Sequence, residues 1–192
     1  MTDDPKVLIV DTCRRMIHYG LTYASLGNVS VRRQDKIFIT PSGVRFDELT
    51  PSMIVIVDLD GRVLSGGRPS VELPMHLEVY RNIDDAMAVI HAHSLYSTVL
   101  GSIVDSRLVF KNEEAKIMGI DNVIVCQYAP SGTWELAHNV TRALKQGRAT
   151  IIPHHGVVVY GESLSHALSV LETLENLSKM RILESILRYV RV

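Results

Sequence analysis

Apolar residues recur along this chain at two spacings, and each spacing predicts one kind of element. An apolar side chain at every third or fourth position is typical of amphipathic helices. Short apolar or alternating runs between polar and glycine-rich turns are typical of strands. Helices are therefore expected at residues 5–20, 74–81, from 95 onwards, 134–145 and from 163 or 165 to about 189, with a short helix or loop at 112–116. Strands are expected at residues 26–32, 36–40, 53–57, 62–64, 86–90, 123–126, 149–152 and 157–160.

The order of these elements and the length of the chain both favour a single layered domain. Strands and helices alternate without an internal repeat, which predicts an α/β fold. The chain has 192 residues, of which 46% are hydrophobic, enough for one substantial core. We therefore expect one domain over residues 1–192.

Charge and cysteine use narrow the class of protein. A total of 20 Lys and Arg against 21 Asp and Glu gives a net charge of -1, which argues against broad binding to nucleic acid or to an anionic membrane. Cys13 and Cys126 lie far apart in apolar segments, as buried thiols of a reducing compartment do. The acidic start Met1–Pro5 (MTDDP) is unlike a signal peptide, and no apolar run approaches the roughly 20 residues that cross a bilayer. We expect a cytoplasmic protein.

Two histidine clusters follow apolar strands and carry the clearest chemical signal. His91 and His93 end the strand at 86–90, and residues two apart on a strand project from the same face. Neutral imidazole is the commonest metal ligand in proteins, although such a pair also fits two hydrogen-bonded surface groups. A second cluster, His154 and His155, precedes Gly156, which allows another backbone to approach closely. Since neighbours on a strand face opposite ways, at most one of this second pair is expected to join the first, and spacing does not choose between them.

Other polar positions mark an anion site and a candidate acid or base. The loop Thr40–Gly43 (TPSG) and the residues near Gly27 and Asn28 offer backbone N–H groups that can hold an anion, or they are plain turns. Glu72 is expected at the start of the helix at 74–81. It either complements the positive end of the helix dipole or acts as a general acid/base or an extra ligand beside the metal.

Five motifs occur in one order and together identify a family. They are Gly27–Ser30 (GNVS), Ile39–Gly43 (ITPSG), Pro69–Glu72 (PSVE) with His76, His91–His93 (HAH) and His154–Gly156 (HHG). With these motifs the sequence resembles the class II aldolase family of the fuculose-phosphate and ribulose-phosphate type over essentially its whole length. The resemblance implies a three-layer α/β/α fold with a largely antiparallel central sheet, and a homotetramer with active sites between subunits.

The resemblance also implies the roles of individual residues. His91, His93 and His155 would hold zinc, one Zn2+ per subunit, because the third ligand in the family directly precedes a glycine. Glu72 would be the catalytic carboxylate, which can also ligate the metal. The residues that would bind the substrate phosphate are Asn28, Ser42, Gly43 and Ser70.

Two positions depart from the family pattern. A role is also expected for His76. Val71 stands where fuculose-phosphate enzymes commonly have a second serine, so one phosphate hydroxyl contact is removed. The tyrosine that some members supply from a neighbouring subunit is not evident, and Glu114 occupies its position. His76 follows Glu72 by one helical turn and is expected to orient it.

The implied activity is that of a zinc-dependent aldolase. Such an enzyme reversibly cleaves a ketose 1-phosphate, L-fuculose 1-phosphate or a similar sugar, to dihydroxyacetone phosphate and an aldehyde such as L-lactaldehyde. Relatives with similar sites act as dehydratases of the methylthioribulose-1-phosphate type, as 4-epimerases or as decarboxylases, and these activities are alternatives. A non-catalytic interaction module on the same fold, as in the adducin proteins, is an alternative of another class, against which the intact histidine and glutamate set argues.

Overall fold

The computed structural model describes residues 3–190, so the ends of the predicted domain, residues 1–2 and 191–192, lie outside the described residues. Nine strands of the described chain form one sheet in the order β4-β3-β2-β1-β5-β9-β8-β7-β6. Neighbouring strands are antiparallel except for the parallel pair β7 and β8. The strands are β1 Asn28–Arg33, β2 Lys36–Ile39, β3 Val55–Asp58, β4 Val63–Ser65, β5 Ala88–Ala92, β6 Arg107–Val109, β7 Asn122–Val125, β8 Ala149–Ile152 and β9 Gly156–Gly161.

Helices cover both faces of this sheet. Helices α1, α3, α4 and α6 pack against one face, and α2 and α5 pack against the other, each face having its own cluster of buried apolar side chains. The predicted three-layer α/β/α fold with a largely antiparallel sheet is thereby confirmed. Within residues 3–190, no helix combines the length and the apolar character that crossing a membrane requires. The helices are α1 Pro5–His18, α2 Leu73–Asn82, α3 Leu95–Ile103, α4 Glu113–Ile117, α5 Trp134–Leu144 and α6 Leu164–Val190.

Two details of the sheet differ from the sequence prediction. Strand β6 was not predicted, because it has only three residues, two of them exposed, and pairs with β7 at the edge of the sheet. The strand expected from residue 53 begins at Val55 instead, because Pro51–Met53 form a 3-10 turn. Neither difference affects the end of the sheet at which the histidines lie.

Strand β5 is central to the fold and ends at the candidate site. It is buried along its whole length and lies between β1 and β9. A Cβ atom at Gly27 would lie 2.5 Å from the carbonyl oxygen of His91, and one at Gly156 would lie 2.5 Å from that of Ala92. Glycine is therefore required on both sides of this strand end, which confirms the close approach predicted at Gly156. The two contacts hold three backbone segments together where the histidines leave the sheet.

Candidate metal centre and substrate cavity

His91 and His93 project to the same side at the end of β5. Their Nε2 atoms lie 3.2 Å apart. The Nδ1 atom of His91 lies 2.9 Å from the carbonyl oxygen of Val157 on the neighbouring strand. Because a carbonyl only accepts hydrogen bonds, Nδ1 carries a proton and donates it, which leaves Nε2 as the nitrogen of His91 that faces the cluster.

His155 joins this pair from the turn between β8 and β9. The centroid of its ring lies 4.8 Å from that of His91 and 5.0 Å from that of His93. The neighbouring His154 has a left-handed backbone with φ of 57°, and its side chain is exposed. The turn thus separates the two adjacent side chains, so that one joins the cluster and the other faces outwards.

The three imidazoles fit a divalent transition metal. One ligand nitrogen from each ring lies within 4.8 Å of the other two, and a tetrahedral zinc ion would need nitrogens about 3.3 Å apart. Burial, followed by the neighbouring His91 and His155, lowers the pKa of His93 to about 4. Burial likewise lowers the pKa of His155. Both rings are therefore neutral near pH 7, which is the form that binds a metal.

Glu72 caps the start of α2 and brings its carboxylate to the imidazoles. Its Oε2 lies 3.2 Å from Nε2 of His91, and its Oε1 lies 3.8 Å from Nε2 of His155. The side chain is buried, and within the described residues Oε1 has no hydrogen-bond partner. A buried carboxylate oxygen without a partner is unfavourable unless a cation faces it. The unpaired Oε1 therefore fits a cation held by the imidazoles.

The protonation state of Glu72 depends on a competition between burial and its neighbours. Burial alone would raise the pKa of the carboxyl, but His91, His155 and a hydrogen bond from Asn28 outweigh it, so the pKa is lowered. Glu72 is thus an ionised carboxylate near pH 7, the form that accepts a proton.

Two loops lie side by side next to this carboxylate. The N–H group of Ser70 donates to the carbonyl of Thr40, and the N–H group of Ser42 donates to the carbonyl of Arg68. The hydroxyl oxygen of Ser70 in turn accepts from the N–H group of Glu72 at 3.2 Å. The loop at 40–43 and the residues before α2 therefore form one rigid wall, which also fixes the start of the helix.

A cavity of about 230 Å³ joins the two halves of the site. The structure brings all the site residues expected from the sequence into its lining. They are Asn28, Ser42, Gly43, Ser70, Glu72, His91, His93 and His155.

Two hydroxyls in the same lining were missed by the sequence analysis. Ser131 lies just before α5, and its Ser-Gly-Thr run was interpreted only as a helix start. Ser25 lies two residues before Gly27, close enough to the first motif to have been included. The signal in both cases was a small polar residue beside a glycine in a loop.

The sequence matches one family model over most of its length. The matched family is described as Class II Aldolase and Adducin N-terminal domain, and the match covers residues 7–182. Among curated relatives, the L-fuculose phosphate aldolase of Escherichia coli K12 is 36% identical over 172 residues, which is 90% of this chain and 80% of that protein.

Solved structures agree in fold. A structure of L-fuculose 1-phosphate aldolase is similar with a TM-score of 0.90 and 34% identity, covering 96% of this chain and 88% of the other. Escherichia coli YgbL, whose name leaves aldolase, epimerase and decarboxylase activities open, is similar with a TM-score of 0.86 and 30% identity, covering 93% of this chain and 88% of the other. Both match nearly the whole chain.

The metal centre predicts different effects for two adjacent histidines. Loss of a residue that only orients a ligand weakens metal binding roughly 10- to 100-fold. Because His155→Ala removes a ligand itself, it should weaken zinc binding by more than that. His154→Ala is the matched control, because that side chain is exposed and outside the cluster. Competition with a chelator of known affinity measures both constants, and equal zinc affinities for the two variants would contradict the assignment of His155.

The buried His76 predicts how the stability of the metal-free protein depends on pH. Burial lowers the pKa of His76 from 6.5 to about 3, so below about pH 6.5 the unfolded chain binds a proton that the folded protein does not. The free energy of unfolding should therefore fall with falling pH, and His76 contributes up to about 1.4 kcal/mol of this loss per pH unit. Urea unfolding between about pH 6.5 and pH 5 measures it. His76→Gln should show a shallower slope, and equal slopes would contradict the prediction.

Proposed function

The chain belongs to the class II aldolase and adducin family, and from that premise we propose that it is a zinc-dependent aldolase acting on a ketose 1-phosphate. The substrate is L-fuculose 1-phosphate or a close analogue, cleaved reversibly to dihydroxyacetone phosphate and an aldehyde such as L-lactaldehyde. The observation that carries this proposal is the cavity lined by three clustered imidazoles, a buried carboxylate and the polar loop residues. The family and its named aldolase relatives make the protein a lyase.

The metal would be held by His91, His93 and His155, one zinc ion per subunit. When bound, it would supply an electrophile that polarises the oxygens of the ketose. The proton on Nδ1 of His91 is donated to Val157, which fixes that ring and leaves Nε2 for the metal. The chain itself thus orients this ligand for the metal.

Glu72 is proposed to move the proton in the reaction. In the condensation direction its carboxylate removes a proton from C3 of dihydroxyacetone phosphate, and in cleavage the carboxylic acid returns that proton. The lowered pKa of Glu72 keeps the carboxylate ionised for the first of these steps. Its unpaired Oε1 is available to the substrate proton or to the metal.

The phosphate of the substrate is proposed to bind beside Glu72 in the same cavity. Asn28, Ser42, Gly43 and Ser70 lie there and offer amide, hydroxyl and backbone donors. The side chain of Val71, 51% exposed beside them, adds no hydroxyl. This difference from the fuculose-phosphate enzymes is the reason for extending the proposal to close analogues.

Other reactions on the same site are the second candidate. The similarity to YgbL, whose name leaves aldolase, epimerase and decarboxylase activities open, keeps a 4-epimerase or decarboxylase as alternatives, and a sugar-phosphate dehydratase of the methylthioribulose-1-phosphate type belongs to the same set. Analysis of the products formed from each sugar phosphate separates them. The buried, ionised Glu72 beside the cluster of three imidazoles argues against a non-catalytic interaction module.

We further propose a homotetramer in the cytoplasm. Tyr23, Leu95 and Val99 are exposed apolar side chains, and they line a cavity that also includes His93 and His155. Apolar surface beside a polar site favours coverage by another subunit. Both cysteines are buried free thiols, in keeping with a reducing compartment.

The proposed function is tested by cleavage of L-fuculose 1-phosphate, with dihydroxyacetone phosphate detected by a coupled assay. Release of triose phosphate should be lost when a chelator removes the metal and should return when zinc is added. Zinc-loaded protein that releases none from any ketose 1-phosphate would contradict the aldolase proposal.

In the same assay, Glu72→Gln should keep its zinc and lose about 10²-fold or more in turnover, because the amide cannot accept the proton. Glu78→Gln is the matched control, since Glu78 lies on the same helix and bonds to the exposed His138 outside the cavity. Full activity of Glu72→Gln would remove Glu72 from the proton transfer.

The assembly is tested by the mass of the protein in solution. Light scattering on the eluted peak should give about four times the subunit mass of 21.4 kDa. A mass of one subunit at full activity would contradict both the tetramer and a site completed by a neighbour.

A further inference from the structure

A chain of five buried polar side chains connects Glu72 to the interior of the protein. The Nδ2 atom of Asn28 lies 3.3 Å from Oε2 of Glu72, and Oδ1 of Asn28 lies 2.5 Å from Nε2 of His76. The Nδ1 atom of His76 lies 2.6 Å from Oγ of Ser30, which lies 2.7 Å from the hydroxyl oxygen of Tyr80. All five side chains are buried. We call this series the Tyr80–Glu72 hydrogen-bond chain.

Each bond in this chain can have only one direction. The carboxylate of Glu72 only accepts, so the amide nitrogen of Asn28 faces it and the amide oxygen faces His76. That oxygen also only accepts, so Nε2 of His76 carries a proton. Burial keeps the ring neutral, since the pKa of His76 is lowered to about 3. Its Nδ1 is therefore an acceptor.

The direction continues to the far end of the chain. Ser30 must donate its hydroxyl proton to Nδ1 of His76, and Ser30 in turn accepts from the hydroxyl of Tyr80. Every donor in the series thus points towards Glu72. Hydrogen bonds that point in one direction polarise one another, so each bond in the series is strengthened.

We propose that His76 is a positioning residue that fixes the orientation of the Asn28 amide, with its NH2 group towards Glu72 and the substrate cavity. One amide hydrogen bonds to the carboxylate, and the second remains available to a phosphate oxygen in the cavity that Asn28 lines. A flipped amide would set its oxygen against the carboxylate and its NH2 group against the protonated Nε2 of His76. The carboxylate at one side and the protonated Nε2 at the other therefore both disfavour that arrangement.

This inference assigns His76 a different role from the one expected from the sequence. The imidazole lies one turn after Glu72 on α2, yet its hydrogen bonds go to Asn28 and Ser30 on β1. It therefore acts on the carboxylate through Asn28. The inference rests on the proposed function only for the use of Asn28 as a phosphate contact.

A spectroscopic test of the direction does not depend on turnover. Long-range 15N–1H correlation spectra of selectively histidine-labelled protein report which ring nitrogen is protonated. The signal of His76, assigned by its loss in His76→Gln, should show a neutral ring with the proton on Nε2. A proton on Nδ1, or a charged ring near pH 7, would overturn the inference.

A matched pair of variants separates positioning from packing. His76→Leu fills the buried space but cannot donate to Asn28, whereas His76→Gln places an amide N–H near the position of Nε2. In zinc-loaded protein, His76→Leu should raise the Kd for inorganic phosphate and the KM for the ketose phosphate about 10- to 100-fold, with a smaller change in kcat. His76→Gln should restore most of the binding, and both variants should keep their zinc.

Tyr80→Phe is the control for loss of a buried polar group. It removes the hydroxyl at the far end and leaves Ser30 donating to His76, so phosphate binding should change by less than about threefold. Equal weakening in His76→Leu, His76→Gln and Tyr80→Phe would overturn the inference, and so would zinc-loaded wild-type protein that binds no phosphate. Phosphate binding that follows the expected order without cleavage of any sugar would reject the proposed function and keep this inference.

Discussion

The candidate site depends on the close contact of three backbone segments at the end of β5. Gly27 and Gly156 lie against the carbonyl groups of His91 and Ala92 at distances that no side chain would tolerate. Because of these contacts, β1, β5 and the turn before β9 converge within a few ångströms. Asn28 and His91 lie on strands, and His93 and His155 lie directly next to strand ends rather than in long loops. A binding site carried on a sheet keeps its geometry more rigidly than one carried on loops.

The ionisation of the buried polar groups next to this contact depends on two effects, burial and interaction with neighbouring groups. Burial acts on Glu72, His76 and His93 alike, but with opposite consequences for acid and base. The imidazoles are kept neutral, whereas the carboxylate remains ionised because its neighbours outweigh the burial. The result is a set of lone pairs and one negative charge facing a common space. Asn28 on β1 donates to Oε2 of Glu72 and His91 donates to Val157 on β9, whereas Oε1 of Glu72 has no hydrogen-bond partner among the described residues.

Much of the fold and part of the site could be predicted from the sequence. Period-two spacing placed His91 and His93 on one face, and Pro74 in the first helical turn placed Glu72 at the start of α2. Spacing alone could not choose between His154 and His155, because the choice depends on a left-handed turn that alternation along a strand does not describe. The pairing of Asn28 with Glu72 spans 44 residues, and no local pattern encodes such a contact. Tyr80 follows His76 by four residues, a helical spacing that could have pointed to the buried chain.

The charge of the cavity has a consequence for the order in which it fills. Burial lowers the pKa of His93 and His155, and the pKa of Glu72 is lowered as well, so the cavity walls include a buried negative charge in a region of low dielectric constant. A sugar phosphate, itself an anion, is repelled from such walls, whereas a divalent cation is attracted and reverses their sign. The charge of the buried carboxylate therefore favours one order of filling, in which a cation enters the cavity before an anion. The charge of Glu72 thus favours binding of an anion to the metal-loaded protein over binding to the metal-free protein.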